Sequence, residues 1–169
     1  MVISVNLYLK RSNAADNMQF EIFDKNNNTV FKILAVNNSS KEIIKIFNID
    51  NDVNINEEVC KIRAVKFSSL KLHNVSSGNI KFRIIIMPKD NQIFARFYGI
   101  GWHIRGSIVS GSYDIIDLDN SVIAAVSKNF SNNYTQISIF SEQKTILAVA
   151  SIICLENIAL ERKPVLQMS

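Results

Sequence analysis

Along most of the chain, apolar and polar positions alternate, and each alternating run is broken by a cluster of Asn, Asp or Ser. A period of two puts successive side chains on opposite faces of a strand, and those clusters favour turns, so the pattern predicts short strands joined in hairpins. The segment MQFEIFDKNNNTVFKI, Met18 to Ile33, shows the unit: Phe20 and Ile22 share a face, Asp24 opens a polar turn, and Val30 begins the return. A second hairpin starts at Ile43 with IIKIFNIDND, crosses a polar stretch to Val59 and returns through Ile62 and Ala64. A third runs from Ser112 through SYDIIDLDN into Val122 to Val126. An aspartate enters the turn in all three.

Two further strands have one buried and one wet face by the same rule. In IKFRIII, Ile80, Phe82, Ile84 and Ile86 oppose Lys81 and Arg83; in YTQISIF, Ile137 and Ile139 oppose Gln136 and Ser138. Hairpins in series make an antiparallel meander whose edges must be paired or covered, and closure into a barrel meets that need. The pattern changes at Lys144. The segment KTILAVASIICLENIALER, to Arg162, is rich in Ala, Leu and Ile without alternation, which predicts a helix apolar almost all round. Such a helix must be enclosed by protein or lipid. Ser151 and the pair Glu156 and Asn157 argue against lipid, because a span needs about 20 apolar residues. Glu161, Arg162 and Lys163 with Pro164 form a polar exit. The expected fold is therefore mainly β, a closed antiparallel barrel around a central apolar C-terminal helix.

Composition narrows this picture little. The chain has 169 residues, 47% hydrophobic and 20% charged, which suits one globular domain over residues 1–169. Met1 to Leu9 alternates and lacks a basic region followed by an apolar run, so no secretory signal is expected. Cys60 and Cys154 form no CxxC pair and suit a reducing compartment, as two buried or half-buried thiols. A cytoplasmic location, peripheral to a membrane at most, follows.

The search for chemistry is mostly negative. His73 and His103, read as a surface histidine and a strand histidine, have no zinc-ligand spacing. Asp50, Asp52 and Asn54 imitate the start of a calcium loop, but Ile55 stands at the glycine position and Lys61 at that of the bidentate glutamate. Gly99, Gly101 and Gly106 are misspaced for a dinucleotide fingerprint and read as relief of crowding beside Trp102. No serine stands in a nucleophile elbow. No metal, cofactor or catalytic residue is expected, and the chain reads as no enzyme.

The run FYGIGWHIRGSIVSGSYDIIDLDNSVIAAVSKNFSNNYTQISIF, followed by the apolar helix, resembles the second half of LURP-one-related proteins, members of the tubby C-terminal-like superfamily that includes phospholipid scramblases. Gly106, Tyr113, Ile115, Asp117 and Ala124 match the family's glycine, tyrosine strand, Ile-x-Asp turn and alanine return. FEIFDKNNNTVFKI and IIKIFNIDND fit its first half. Asn120 replaces the usual glycine after the turn aspartate, and Asn also accepts left-handed backbone angles. The resemblance implies a twelve-stranded barrel threaded by a hydrophobic helix. It also implies phosphoinositide binding through basic side chains, although no such residue aligns individually with this chain.

Charge gives the one positive signal. Between Lys61 and Arg105 stand nine cations, Lys61, Arg63, Lys66, Lys71, Lys81, Arg83, Lys89, Arg96 and Arg105, against the single acid Asp90, a balance of +8 within a net charge of +4. Lys61 and Arg63 lie two apart, as do Lys81 and Arg83, so each pair shares a strand face. Neighbouring strands would give the barrel a basic side, a candidate site for anionic phospholipid headgroups. The bland reading is the wet face of ordinary strands, neutralised by acidic hairpins. Phe67, Phe82, Phe94 and Phe97 are expected mostly inside, which leaves no stacking platform and makes nucleic acid the weaker partner. The expected function is a non-enzymatic binding module for an anionic membrane surface or a phosphoinositide-like ligand. The alternative is a structural or protein-interaction module whose partner is a protein.

Overall fold

A computed structural model describes residues 4–11, 18–38, 41–50, 55–129 and 131–167. The strands follow in chain order as β1 (Val5–Arg11), β2 (Met18–Phe23), β3 (Thr29–Asn38), β4 (Lys41–Asp50), β5 (Ile55–Phe67) and β6 (Leu70–Ser77), then β7 (Ile80–Lys89), β8 (Gln92–Tyr98), β9 (His103–Ser107), β10 (Ser112–Ile116), β11 (Val122–Asn129) and β12 (Tyr134–Ile139). A short 3-10 turn at Glu142–Lys144 leads into one long helix, α1 (Thr145–Gln167).

All twelve strands belong to one antiparallel sheet, ordered β8-β7-β6-β5-β4-β3-β2-β1-β12-β11-β10-β9. Each neighbour in that order is also a neighbour in sequence, apart from β1 and β12, which join the two halves with Leu7 opposite Ile137. The sheet is thus a meander rolled into a barrel, and it stays open only between β8 and β9. The expected closed barrel is borne out but for this seam.

Alternation sets the inner face. The hairpin of β2 and β3 pairs Phe20 with Ile33 and Ile22 with Phe31, and all four are buried. In the hairpin of β4 and β5, Ile44 faces Ile62. On β7, Phe82, Ile84 and Ile86 point inward, whereas Ile80, expected with them, lies at the strand's start with 49% of its surface exposed.

Helix α1 fills the interior. It enters beside the end of β12, and every residue from Ala148 to Leu155 is wholly buried, in one continuous core with the inward side chains of the strands. A helix with no wet stripe is stable only when enclosed on all sides, and here the strands supply the enclosure. Ser151 satisfies its hydroxyl by donating to the Leu147 carbonyl at 2.9 Å. The helix runs past Pro164, the residue expected to mark its exit, to Gln167.

The turns use the expected chemistry. Asp24 accepts hydrogen bonds from the N–H groups of Asn26 and Asn28, both at 2.9 Å, and this holds its carboxyl below the usual range. Asp117 accepts from Leu118 N–H and pairs with Lys144 at 2.7 Å, tying the entrance of the helix to the turn between β10 and β11. Asn120 takes a left-handed φ of 67° in that turn. Asp52 and Asn54 of the polar stretch after β4 lie outside the described residues.

Candidate functional site

The outer face of β5 to β8 is built by strand register. Because Cys60, Ile62 and Ala64 point inward on β5, the intervening Lys61, Arg63, Val65 and Phe67 point outward. Pairing across the four strands then sets outward residues in rows. The first row is Lys61, Ser76 and Lys81; the second is Arg63, Asn74, Arg83 and Tyr98. Adjacent rows lie about 7 Å apart and adjacent strands about 4.8 Å apart, so four cations occupy one small field.

Those four, Lys61, Arg63, Lys81 and Arg83, rim a shallow groove of about 970 Å³ that Tyr98 and Glu58 also line. Arg83 donates from Nε to Asn74 Oδ1 at 3.0 Å, which fixes the guanidinium over the groove. Among the described residues, none of the four cations is within ion-pair distance of a carboxylate. Glu58 instead pairs with Lys45 at 3.7 Å. The arrangement is a concave, positively charged surface with a fixed guanidinium, suited to anionic oxygens. Phe82, which lines the groove, packs at 6.0 Å from Trp102, itself 6.2 Å from Phe97.

The other five sequence-predicted cations divide. Arg96 on β8 and Lys89 at the end of β7 are exposed on the same outer face, beyond the groove, and Lys66 is exposed at the end of β5. Arg105 stands across the seam on β9 and pairs with Asp114 at 2.8 Å, the counter-charge of the bland reading. Lys71 is not on the face at all. It is 7% exposed inside the barrel, where its ammonium reaches Glu42 at 3.2 Å.

Three aromatic and histidine placements differ from expectation. Phe82 and Phe97 pack inward, but Phe67 and Phe94 are 60% and 48% exposed. The inward sets of β5 and β8 fix the opposite parity for these two rings. His73, expected at the surface, is wholly buried on β6 between Lys71 and Val75, while Leu70 and Leu72 take the outer side. Neither imidazole nitrogen makes a hydrogen bond of good geometry, and burial, reinforced by the Lys71 charge and only partly opposed by the nearby Ile84 backbone, pushes its pKa from 6.5 to about 3.

A second buried polar group holds the far part of the helix. Tyr113 donates its hydroxyl to Glu156 at 3.2 Å, and Lys128 approaches the same carboxylate at 3.8 Å. Burial pushes the Glu156 pKa up, with Lys128 and Tyr113 opposing the shift. Cys60 and Cys154 are free and buried; burial pushes the Cys60 thiol up to about 12 and raises that of Cys154 as well. Among the described residues no cluster of His, Cys, Asp and Glu is arranged to hold a metal ion. Nor is any helix there long and apolar enough to cross a membrane.

Of the glycines read as relief of crowding, Gly106 has a firm steric reason. A Cβ on Gly101 would meet only the Leu118 side chain, which is exposed and can swing aside, so crowding there is mild. On Gly106, at φ 108°, a Cβ would fall 2.6 Å from the Ser112 carbonyl oxygen, where β9 closes on β10. Compared with known proteins, the chain matches no family model, no curated sequence and no solved structure.

Proposed function

We propose that this chain is a non-enzymatic binding module that docks anionic phospholipid headgroups on the outer face of β5 to β8, and that it is kin to the LURP-one-related proteins. The observation that carries the reading is the convergence of Lys61, Arg63, Lys81 and Arg83 on one groove, with no carboxylate paired to them among the described residues. Each cation near an anionic membrane contributes about 1 kcal/mol, so four contribute about 4 kcal/mol, a reversible, roughly millimolar attachment. Kinship draws support from twelve strands around an apolar helix and from the left-handed Asn120 in the turn after Asp117. The groups with the largest displacements of pKa, His73, Cys60, Cys154 and Tyr113, are all enclosed, which favours binding over catalysis.

Flotation with phosphatidylcholine vesicles, with and without phosphatidylserine, tests the reading. The chain is expected to float only with the anionic vesicles, to dissociate as salt is raised, and to lose binding when Lys61, Arg63, Lys81 and Arg83 are all changed to Glu. Equal behaviour on neutral and anionic vesicles at low salt would discard the reading. The alternative, a protein-interaction module, is favoured by the open edges of β8 and β9, because an unpaired edge can accept an extended segment. A partner footprint confined to that seam, with no vesicle binding, would establish it instead.

A further inference from the structure

The rows of the β5 to β8 face continue beyond the groove and change character. The third row is Val65, Leu72, Ile85 and Arg96, its three apolar members half-buried; the fourth is Phe67, Leu70, Met87 and Phe94. In the fourth row Phe67 is 60%, Met87 38% and Phe94 48% exposed. Its members sit beside the tips of two adjacent hairpins, at Ser68 and Ser69 and at Asp90 and Asn91. An outer strand face ordinarily carries polar side chains, and a contiguous apolar row four strands wide, roughly 14 Å, marks an interaction surface.

We infer that this row is the part of the molecule that enters the membrane: Phe67, Met87 and Phe94 insert into the headgroup and acyl boundary while the groove cations hold lipid phosphates beside them. The inference rests on the lipid-docking reading and adds to it an orientation and an insertion depth. Charge selects a bilayer over other occupants. The half-buried third row joins this row to the cationic rows and ends in Arg96, Lys89 follows Met87 on the same face, and Asp90 is the one acid between Lys61 and Arg105. Apolar side chains flanked by cations match the order of acyl chains and phosphates at an anionic membrane surface.

The test uses the full chain, vesicles of phosphatidylcholine with phosphatidylserine, and two variants. Phe67→Ser, Met87→Ser and Phe94→Ser together are expected to lower partitioning by about tenfold or more, by the same factor at each salt concentration at which the parent still binds, because the lost term is apolar area. Unchanged circular dichroism melting shows that this variant folds. Phe94→Trp is expected to bind as the parent does, and its emission to shift to the blue on adding vesicles. Two results would overturn the inference and leave lipid docking standing: parental partitioning of the triple Ser variant while the Glu variant of the four groove cations loses it, or no shift of the new tryptophan. If the parent ignores all vesicles, both readings fall. Self-association of the parent that the triple Ser variant abolishes would then assign the row to a second copy.

Discussion

His73 is a polar group enclosed without a hydrogen bond of good geometry, and its chemistry predicts a pH dependence. The unfolded state takes a proton near the ordinary pKa of 6.5, but the folded state refuses it until about 3. The unfolded chain therefore binds more protons in this window, and stability falls as pH falls below 6.5. By about pH 5 this one residue has cost about 2 kcal/mol. His73→Leu removes both nitrogens and is expected to raise stability at neutral pH by about 1–2 kcal/mol and to flatten the loss toward pH 5. Urea denaturation at the two pH values measures both. Glu156 acts with the opposite sign: its pKa is raised, so the stability it contributes is complete below its unfolded value and declines as pH rises through the folded one.

At the scale of elements, helix α1 and the wall around it form one cooperative object. Cys154 on the helix and Cys60 on β5 are 0% and 2% exposed, and burial holds both thiols protonated at neutral pH. Only the thiolate reacts, so alkylation requires opening. Both cysteines are expected to label together, at the rate of global unfolding, in a stopped-flow or mass-spectrometric assay. Labelling of both thiols well ahead of global unfolding would mean that the helix leaves the barrel by itself, since its departure uncovers Cys60 as well. The Tyr113 and Glu156 pair argues for retention, since pulling the helix out breaks a buried hydrogen bond and leaves the Tyr113 hydroxyl without that acceptor.

For the whole molecule, the continuity of the core from β1 to the helix predicts a single unfolding transition. Trp102 reports the region beside the seam, the thiols report the centre and far-ultraviolet dichroism reports the strands. Their midpoints in urea are expected to coincide. An earlier Trp102 transition would show that the seam between β8 and β9 opens as a separate unit. The charge distribution belongs to this scale as well, because a net charge of +4 conceals a segment carrying +8, and only the folding of β5 and β7 about β6 gathers four of its cations on one groove.

Much of this was legible before folding. Alternation gave the strands and most inward side chains, the loss of alternation after Lys144 gave the enclosed helix, and the spacing of Lys61 with Arg63 and of Lys81 with Arg83 gave two same-face pairs. Those are local properties, fixed by the two-residue period of a strand and the hydrophobicity of a short window. Alternation also reads as sending Phe67 and Phe94 inward, and there the barrel differs, because the inward sets of β5 and β8 leave both rings on the outer parity. What the tertiary structure decided was which strands are neighbours and in what register. Pairing between chain-distant residues aligns the cations into rows, encloses Lys71 with Glu42 and buries His73, because a side chain's solvent and partners belong to the assembled barrel wall and not to its own strand.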